Sequence, residues 1–224
     1  MTVPELVARL LAVEVSALSD ADKTLPVLDP AIRAMVAGVR FAGPALTVLA
    51  EDDHLPVLSA LAAAQAGDVL VVATNGGRVA VLGELFATEA ARRGMSGIVI
   101  DGFCRDVRGL RALGLPVFAR GTTPRSGTTV SRSPIGAPVC CGGVDVTSGD
   151  LVFADDDGVV SAPADRIEAA LATAEAITRA EQAILRGLAR GQGLHDLTNH
   201  AEHIDRLDRG EDSSLAFTVD VDGG

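Results

Sequence analysis

Apolar positions in this chain follow two rhythms. Over residues 3–18 they recur at helical spacing (Leu6, Leu10, Val13, Leu18), which predicts a first helix. Ser19 and Asp20 then form a turn or open a second helix. After a proline-punctuated stretch, residues 41–49 predict a strand and residues 55–66 a short Ala/Leu helix. From Asp68 the pattern becomes continuous apolar runs broken by helical segments. Residues 68–74 (DVLVVAT) predict a strand between Gly67 and the turn Asn75-Gly76-Gly77. A helix follows over 82–93, a strand over 97–101, a helix over 105–113 and a strand over 116–120. Short apolar strands alternating with helices predict βαβ units and an α/β sheet covered on both faces.

Beyond Gly121 the chain turns β-rich. Residues 121–150 carry many Gly, Ser, Thr and Pro, with short strand signals at 138–140 and 144–146. Two apolar runs, 151–154 and 158–160, flank Asp155, Asp156 and Asp157. That pattern predicts a hairpin with an acidic turn; the spacing of a calcium-binding EF-hand loop is absent. Pro163 opens a long helix to about residue 190. Residues 191–224 are polar and acidic, with a partly disordered tail expected. The simplest division is a domain over 1–190 and a tail over 191–224.

Composition narrows the function. The net charge of −11 argues against nucleic acid and against an anionic membrane surface, both of which need a basic footprint. No run approaches the ~20 apolar residues of a membrane helix, and no signal-peptide pattern opens the chain. Three cysteines, two of them adjacent, do not make a disulfide framework, so reduced thiols and a cytoplasmic setting are expected. Cys104 stands beside Arg105, which favours a lowered thiol pKa; with no histidine near it in sequence, it reads as loop filler. His195, His200, Glu202 and His203 cluster in the tail and read as solvated helix residues rather than metal ligands.

The candidate chemistry lies in residues 83–106. In parallel βα units, ligands bind at the carboxyl ends of strands, where helix N-termini offer free N–H groups. Topology places Arg105 and Asp106 at the same sheet edge as the helix start at Gly83. Asp106 is a hard oxygen ligand of the kind that holds Mg²⁺ or Mn²⁺ with water and substrate oxygens. Arg105 offers a planar donor fork for a carboxylate or enolate. The N–H groups of Leu85 and Phe86 suit further carboxylate oxygens, and Glu84 suits the orientation or deprotonation of a metal-bound water. The bland alternative is a surface ion pair with a first-turn glutamate that suits the helix dipole. In the long helix, Glu181 falls on the apolar stripe of Ile167, Leu171, Ala174, Ile177, Ile184 and Leu188. It sits either at the stripe's edge or in a neighbouring site.

Several segments together resemble a known family. Residues 83–86 (GELF), 97–106 (GIVIDGFCRD), 115–124 (LPVFARGTTP) and 148–160 (SGDLVFADDDGVV) are similar to the RraA-like family. That family includes metal-dependent 4-hydroxy-4-methyl-2-oxoglutarate/4-carboxy-4-hydroxy-2-oxoadipate aldolases, which also decarboxylate oxaloacetate. The resemblance implies a layered β/β/α fold with a long C-terminal helix, and a homotrimer or dimer of trimers with the site at a subunit interface. It implies Asp106 as the ligand of a divalent cation, and Arg105 with Gly83, Glu84, Leu85 and Phe86 as the substrate-binding group. It assigns catalytic roles to Arg105, Glu84 and Glu181, the last reaching a neighbouring subunit. The small 2-oxo acid would lose pyruvate in a retro-aldol cleavage. The aldolase pattern has Asp where this chain has Glu84, twenty residues before Arg105-Asp106, and the longer side chain puts water placement in question. The Asn75-Gly76-Gly77 turn and the acidic tail also depart from it.

The lysine count separates aldolase chemistries. A Schiff-base enzyme needs a lysine at its site, and Lys23 is the only one in the chain. A metal route is therefore expected. The rival from the same family is a non-enzymatic, RraA-type regulator of a ribonuclease; such proteins lack the Arg-Asp pair and the long helix. A methyltransferase reading has no G-x-G-x-x-G loop after a strand to support it.

Overall fold

A computed structural model describes residues 1–218. In chain order its elements are α1 (Val3–Leu10), α2 (Val15–Ala21), β1 (Arg33–Ala34), β2 (Phe41–Leu49), α3 (Leu55–Ala63), β3 (Val69–Ala73) and β4 (Ala80–Leu82). There follow α4 (Glu84–Arg92), β5 (Gly97–Cys104), α5 (Val107–Leu113), β6 (Val117–Thr122), β7 (Val139–Cys141) and β8 (Val144–Val146). Then come β9 (Leu151–Asp155), β10 (Gly158–Ala162), α6 (Ala164–Ala189), a 3-10 turn (Leu194–Leu197) and α7 (His200–Asp208). The chain forms two compact units, meeting within α6 at Leu171 and Ala172.

In the first unit, β2, β3, β5 and β6 are parallel neighbours, and β4 lies parallel to the far end of β5. Antiparallel strands extend the sheet on both sides: β1 on β6, and β9 then β10 beyond β2. The α/β class follows directly from this order. The parallel strands are continuous apolar runs because both their faces are covered. Leu70, Val72, Ile98 and Ile100 pack with Val57, Leu61, Ala87 and Leu110 of the helices. Val69, Val71 and Val99 face the other way, with Val139, Cys141 and Val146 of the β7–β8 ribbon. Each such buried aliphatic side chain contributes about 1.5–3 kcal/mol. Helices, sheet and ribbon thus give the β/β/α layering. With no Trp or Tyr, the aromatic packing reduces to pairs such as Phe41 edge-on to Phe118, 5.6 Å between centroids. Arg120 pairs with Asp101 and with Asp29 (2.8 Å), and Asp101 also accepts the Gly142 N–H at 2.7 Å, which ties the ribbon to β5.

Three elements differ from the pattern reading. The predicted first helix is two, because the N–H of Val15 donates to Asp155 at 2.9 Å and so opens α2 afresh. Burial raises the Asp155 carboxyl above the usual range. Leu82, expected to open the helix over 82–93, instead ends the strand β4, and Ala80 and Val81, which carried no assignment, begin it. And β5 runs on past Asp101 to Cys104, because β4 and β6 continue to pair with it.

The second unit holds most of α6 and the segment after it. Ala174 and Ile184 on α6 are buried, while Leu185 and Leu188 are exposed. Glu181 lies half-buried on the same helix. The expected loose tail instead carries the 3-10 turn and α7, closed by a bridge between Thr198 and Phe217. His203 Nδ1 lies 2.9 Å from the Ser213 hydroxyl. Residues 219–224 of the tail fall outside the described residues. No described helix is long and apolar enough to cross a membrane.

Candidate active site

The site begins with β4. Pairing of Leu82 with Cys104 carries the chain to the end of β5, where Leu82 O accepts the Arg105 N–H at 2.9 Å. The next residue, Gly83, precedes α4, so the free end of α4 faces Arg105 and Asp106. Asp106 itself has φ +59°, ψ +38°, the left-handed region that Asp and Asn enter more readily than other side chains. That turn swings its carboxylate onto the start of α4. The Glu84 N–H donates to Asp106 Oδ2 at 3.3 Å, and Arg105 Nε lies 3.6 Å from the same oxygen. Gly83 leaves room for the Asp106 carboxylate. A Cβ at that position would sit 2.4 Å from Asp106 Oδ2 and 3.1 Å from Arg105 Cγ.

These groups wall a cavity of about 180 Å³, lined also by His54, Leu82, Leu85, Phe86 and Ser126. Gly83, Leu85, Phe86, Arg105 and Asp106, all singled out above, therefore come together. Glu84 contributes its backbone at the site, but its carboxylate lies along α5. A Cβ on Gly109 would meet Glu84 Cδ at 2.2 Å. Glu181 lies in the second unit.

The donor set accommodates one hard cation of the Mg²⁺ type. Among the described residues Asp106 Oδ1 has no hydrogen-bond partner, and its side chain is 45% exposed, leaving room for an ion that keeps its waters. Among the described residues no cluster of three or more His, Cys, Asp or Glu could enclose a metal. A dehydrated, fully caged ion therefore does not fit, whereas an ion held by one carboxylate does.

Two site features escaped sequence reasoning. The first is His54, whose ring packs edge-on against Phe86, 5.8 Å between centroids. The second is Asp53, the buried neighbour of His54 in the chain. Burial opposes its ionisation, but the Thr128 hydroxyl and the N–H groups of Val130, Ser131 and Leu55 outweigh this. Its carboxyl is held well below the usual range. The acidic run 51–53 was the available signal, but a charge run is usually a solvated face. Cys104 corrects another expectation: it ends β5, its thiol is buried, and burial pushes its pKa up to about 11.

A parallel sheet with a helix N-terminus, a carboxylate and a guanidinium gathered at one strand edge places the chain among α/β proteins. Comparison with known proteins narrows this. The model of the "RraA-like: Aldolase/RraA" family matches residues 15–161, and the chain belongs to the RraA-like family. A protein of Halalkalibacterium halodurans named "Putative 4-hydroxy-4-methyl-2-oxoglutarate aldolase" is 35% identical over 161 residues, 71% of this chain and 77% of that one. Among solved structures, a Pseudomonas syringae protein superposes with TM-score 0.77 at 25% identity, covering 86% of this chain and 96% of its own. The RNA-processing inhibitor RraA from Thermus thermophilis gives TM-score 0.63 at 30% identity, covering 67% of this chain and 92% of its own.

Proposed function

We propose that the chain is a divalent-metal-dependent lyase. It cleaves 4-hydroxy-2-oxo acids of the 4-hydroxy-4-methyl-2-oxoglutarate type to pyruvate and decarboxylates oxaloacetate. The observation that carries this reading is the Asp106 carboxylate held across Gly83 on the open end of α4, beside Arg105 and on a cavity. Mg²⁺ or Mn²⁺ at Asp106 would supply Lewis-acid polarisation of the 2-oxo group. The protein's own groups do the rest. The N–H groups of Leu85 and Phe86 and the positive end of α4 take the substrate carboxylate. A water in the cavity takes the C4-hydroxyl proton as the C3–C4 bond breaks, Arg105 stabilises the negative charge that develops on the C2 oxygen, and return of a proton to C3 gives pyruvate. In oxaloacetate the bond that breaks releases CO₂, and the same charge develops. Glu84 fixes Asp106 through its backbone N–H, while its carboxylate lies along α5. Glu181 is assigned to a neighbouring subunit's site in a cytoplasmic homotrimer or dimer of trimers.

A panel of 2-oxo acids, assayed for pyruvate with Mg²⁺ or Mn²⁺ and with EDTA, tests the reading. Pyruvate release should vanish with chelation and fall at least about 10³-fold in Asp106→Asn, which keeps the left-handed turn. Full activity after thorough chelation, or in Asp106→Asn, would overturn it. The second reading, a ribonuclease regulator acting by protein contact, draws on the likeness to the Thermus inhibitor. It gains if no panel member yields pyruvate and the chain inhibits a ribonuclease instead.

A further inference from the structure

We infer that His54 recognises the distal end of the substrate, its imidazole N–H donating to the oxygen-bearing group beyond C3. The inference rests on the lyase reading for the identity of that substrate. Three side chains on the cavity wall can donate hydrogen bonds: Arg105, Ser126 and His54. Arg105 lies beside Asp106 and serves the 2-oxo end. A 4-hydroxy-2-oxo diacid carries polar oxygens at both ends, so its far end needs a second donor.

His54 is built for that task. Its backbone N–H donates to Thr128 O at 3.0 Å, and its carbonyl accepts the Leu58 N–H at 3.2 Å as α3 begins. Next to it, buried Asp53 clamps the same turn to residues 128–131 through three hydrogen bonds and accepts a fourth from the Leu55 N–H. The Phe86 ring holds one side of the imidazole. Yet neither ring nitrogen has a hydrogen-bond partner among the described residues. A half-buried imidazole fixed this firmly and left unpaired within a cavity is preorganised for a ligand. It is also the one histidine of the first unit; the other three lie at 195, 200 and 203.

Binding calorimetry with Mg²⁺ separates the two ends. Oxalate mimics the head alone, whereas 2-oxoglutarate adds a distal carboxylate. His54→Ala should weaken 2-oxoglutarate about 10-fold to 100-fold and leave oxalate within twofold. His54→Asn, whose amide still donates, should recover part of the loss. In turnover, the KM for 4-hydroxy-4-methyl-2-oxoglutarate and for oxaloacetate should both rise, since each carries an oxygen-bearing group beyond C3. Equal weakening of oxalate and 2-oxoglutarate, or of neither, would overturn the inference. A wild-type protein that yields no pyruvate but shows the same selective loss would overturn the lyase reading while sustaining the role of His54. A protein that binds neither ligand would overturn both.

Discussion

Gly83→Ala separates the site from the fold that carries it. Gly83 has φ −146° and ψ −167°, extended backbone that alanine adopts without strain. The obstacle is the added methyl, which would stand 2.4 Å from Asp106 Oδ2, where ordinary contact begins near 3.4 Å. The Asp106 side chain is partly exposed and free to rotate, so the fold gives way cheaply while the carboxylate moves by about 1 Å. A displacement of that size at a reacting group costs on the order of 10²-fold in rate, or about 2.7 kcal/mol of transition-state stabilisation. The stability change is smaller. Alanine is a poorer N-cap than glycine by about 0.5–1 kcal/mol, a fall in Tm of no more than about 4 °C for a chain of this size. The assay is pyruvate release from oxaloacetate coupled to lactate dehydrogenase, read beside a thermal melt. If Gly83→Ala keeps kcat/KM within twofold of wild type, the Asp106 contact does not set the rate and the reasoning fails. A Tm fall of more than about 10 °C would equally show that the fold, not the site, resisted the methyl.

Three further predictions follow from other parts of the molecule. Lys23 is exposed and paired with Asp20, so Lys23→Arg should retain full activity and borohydride with pyruvate should trap no adduct; covalent trapping would point to Schiff-base chemistry. Of the three thiols, Cys140 is exposed while Cys104 and Cys141 are buried, with pKa values pushed up to about 11 and about 12 by burial. Iodoacetamide at pH 8 should label the native protein once, at Cys140, and three times after unfolding. The lowered pKa of Asp53 means that its ionised form stabilises the fold above the ordinary carboxylate range and that this contribution is lost as pH falls. Asp53→Asn should therefore cost about 2–3 kcal/mol at neutral pH, with the gap to wild type narrowing below about pH 4 in pH-dependent melts; a gap constant across pH would contradict the assignment.

How much of this was legible depended on how local each signal is. The parallel strands were readable because burial on both faces leaves continuous apolar runs, as in 68–74. The Gly83–Asp106 site was readable because a strand end and a helix start lie in one stretch of sequence. β4 was not, since the three apolar residues Ala80, Val81 and Leu82 carry no period and become a strand only by pairing with β5. The break between α1 and α2 depends on Asp155, 140 residues away. His54 has no spaced partner in sequence; its meaning comes from Phe86 and from the loop that Asp53 gathers. Glu84 opens α4 as its sequence suggests, but where its carboxylate goes depends on Gly109, whose missing side chain makes room for it on a different helix.

The two walls of the cavity have different origins. One is a single uninterrupted module, in which Gly83, the opening of α4 and Arg105-Asp106 are locked to each other by backbone. The other is assembled from distant loops sewn together by the one carboxylate of Asp53. Mutational drift in those loops can therefore retune which molecule the cavity accepts while the Gly83–Asp106 module stays untouched, and a designer seeking new ligands would vary residues 52–54 and 126–131 first.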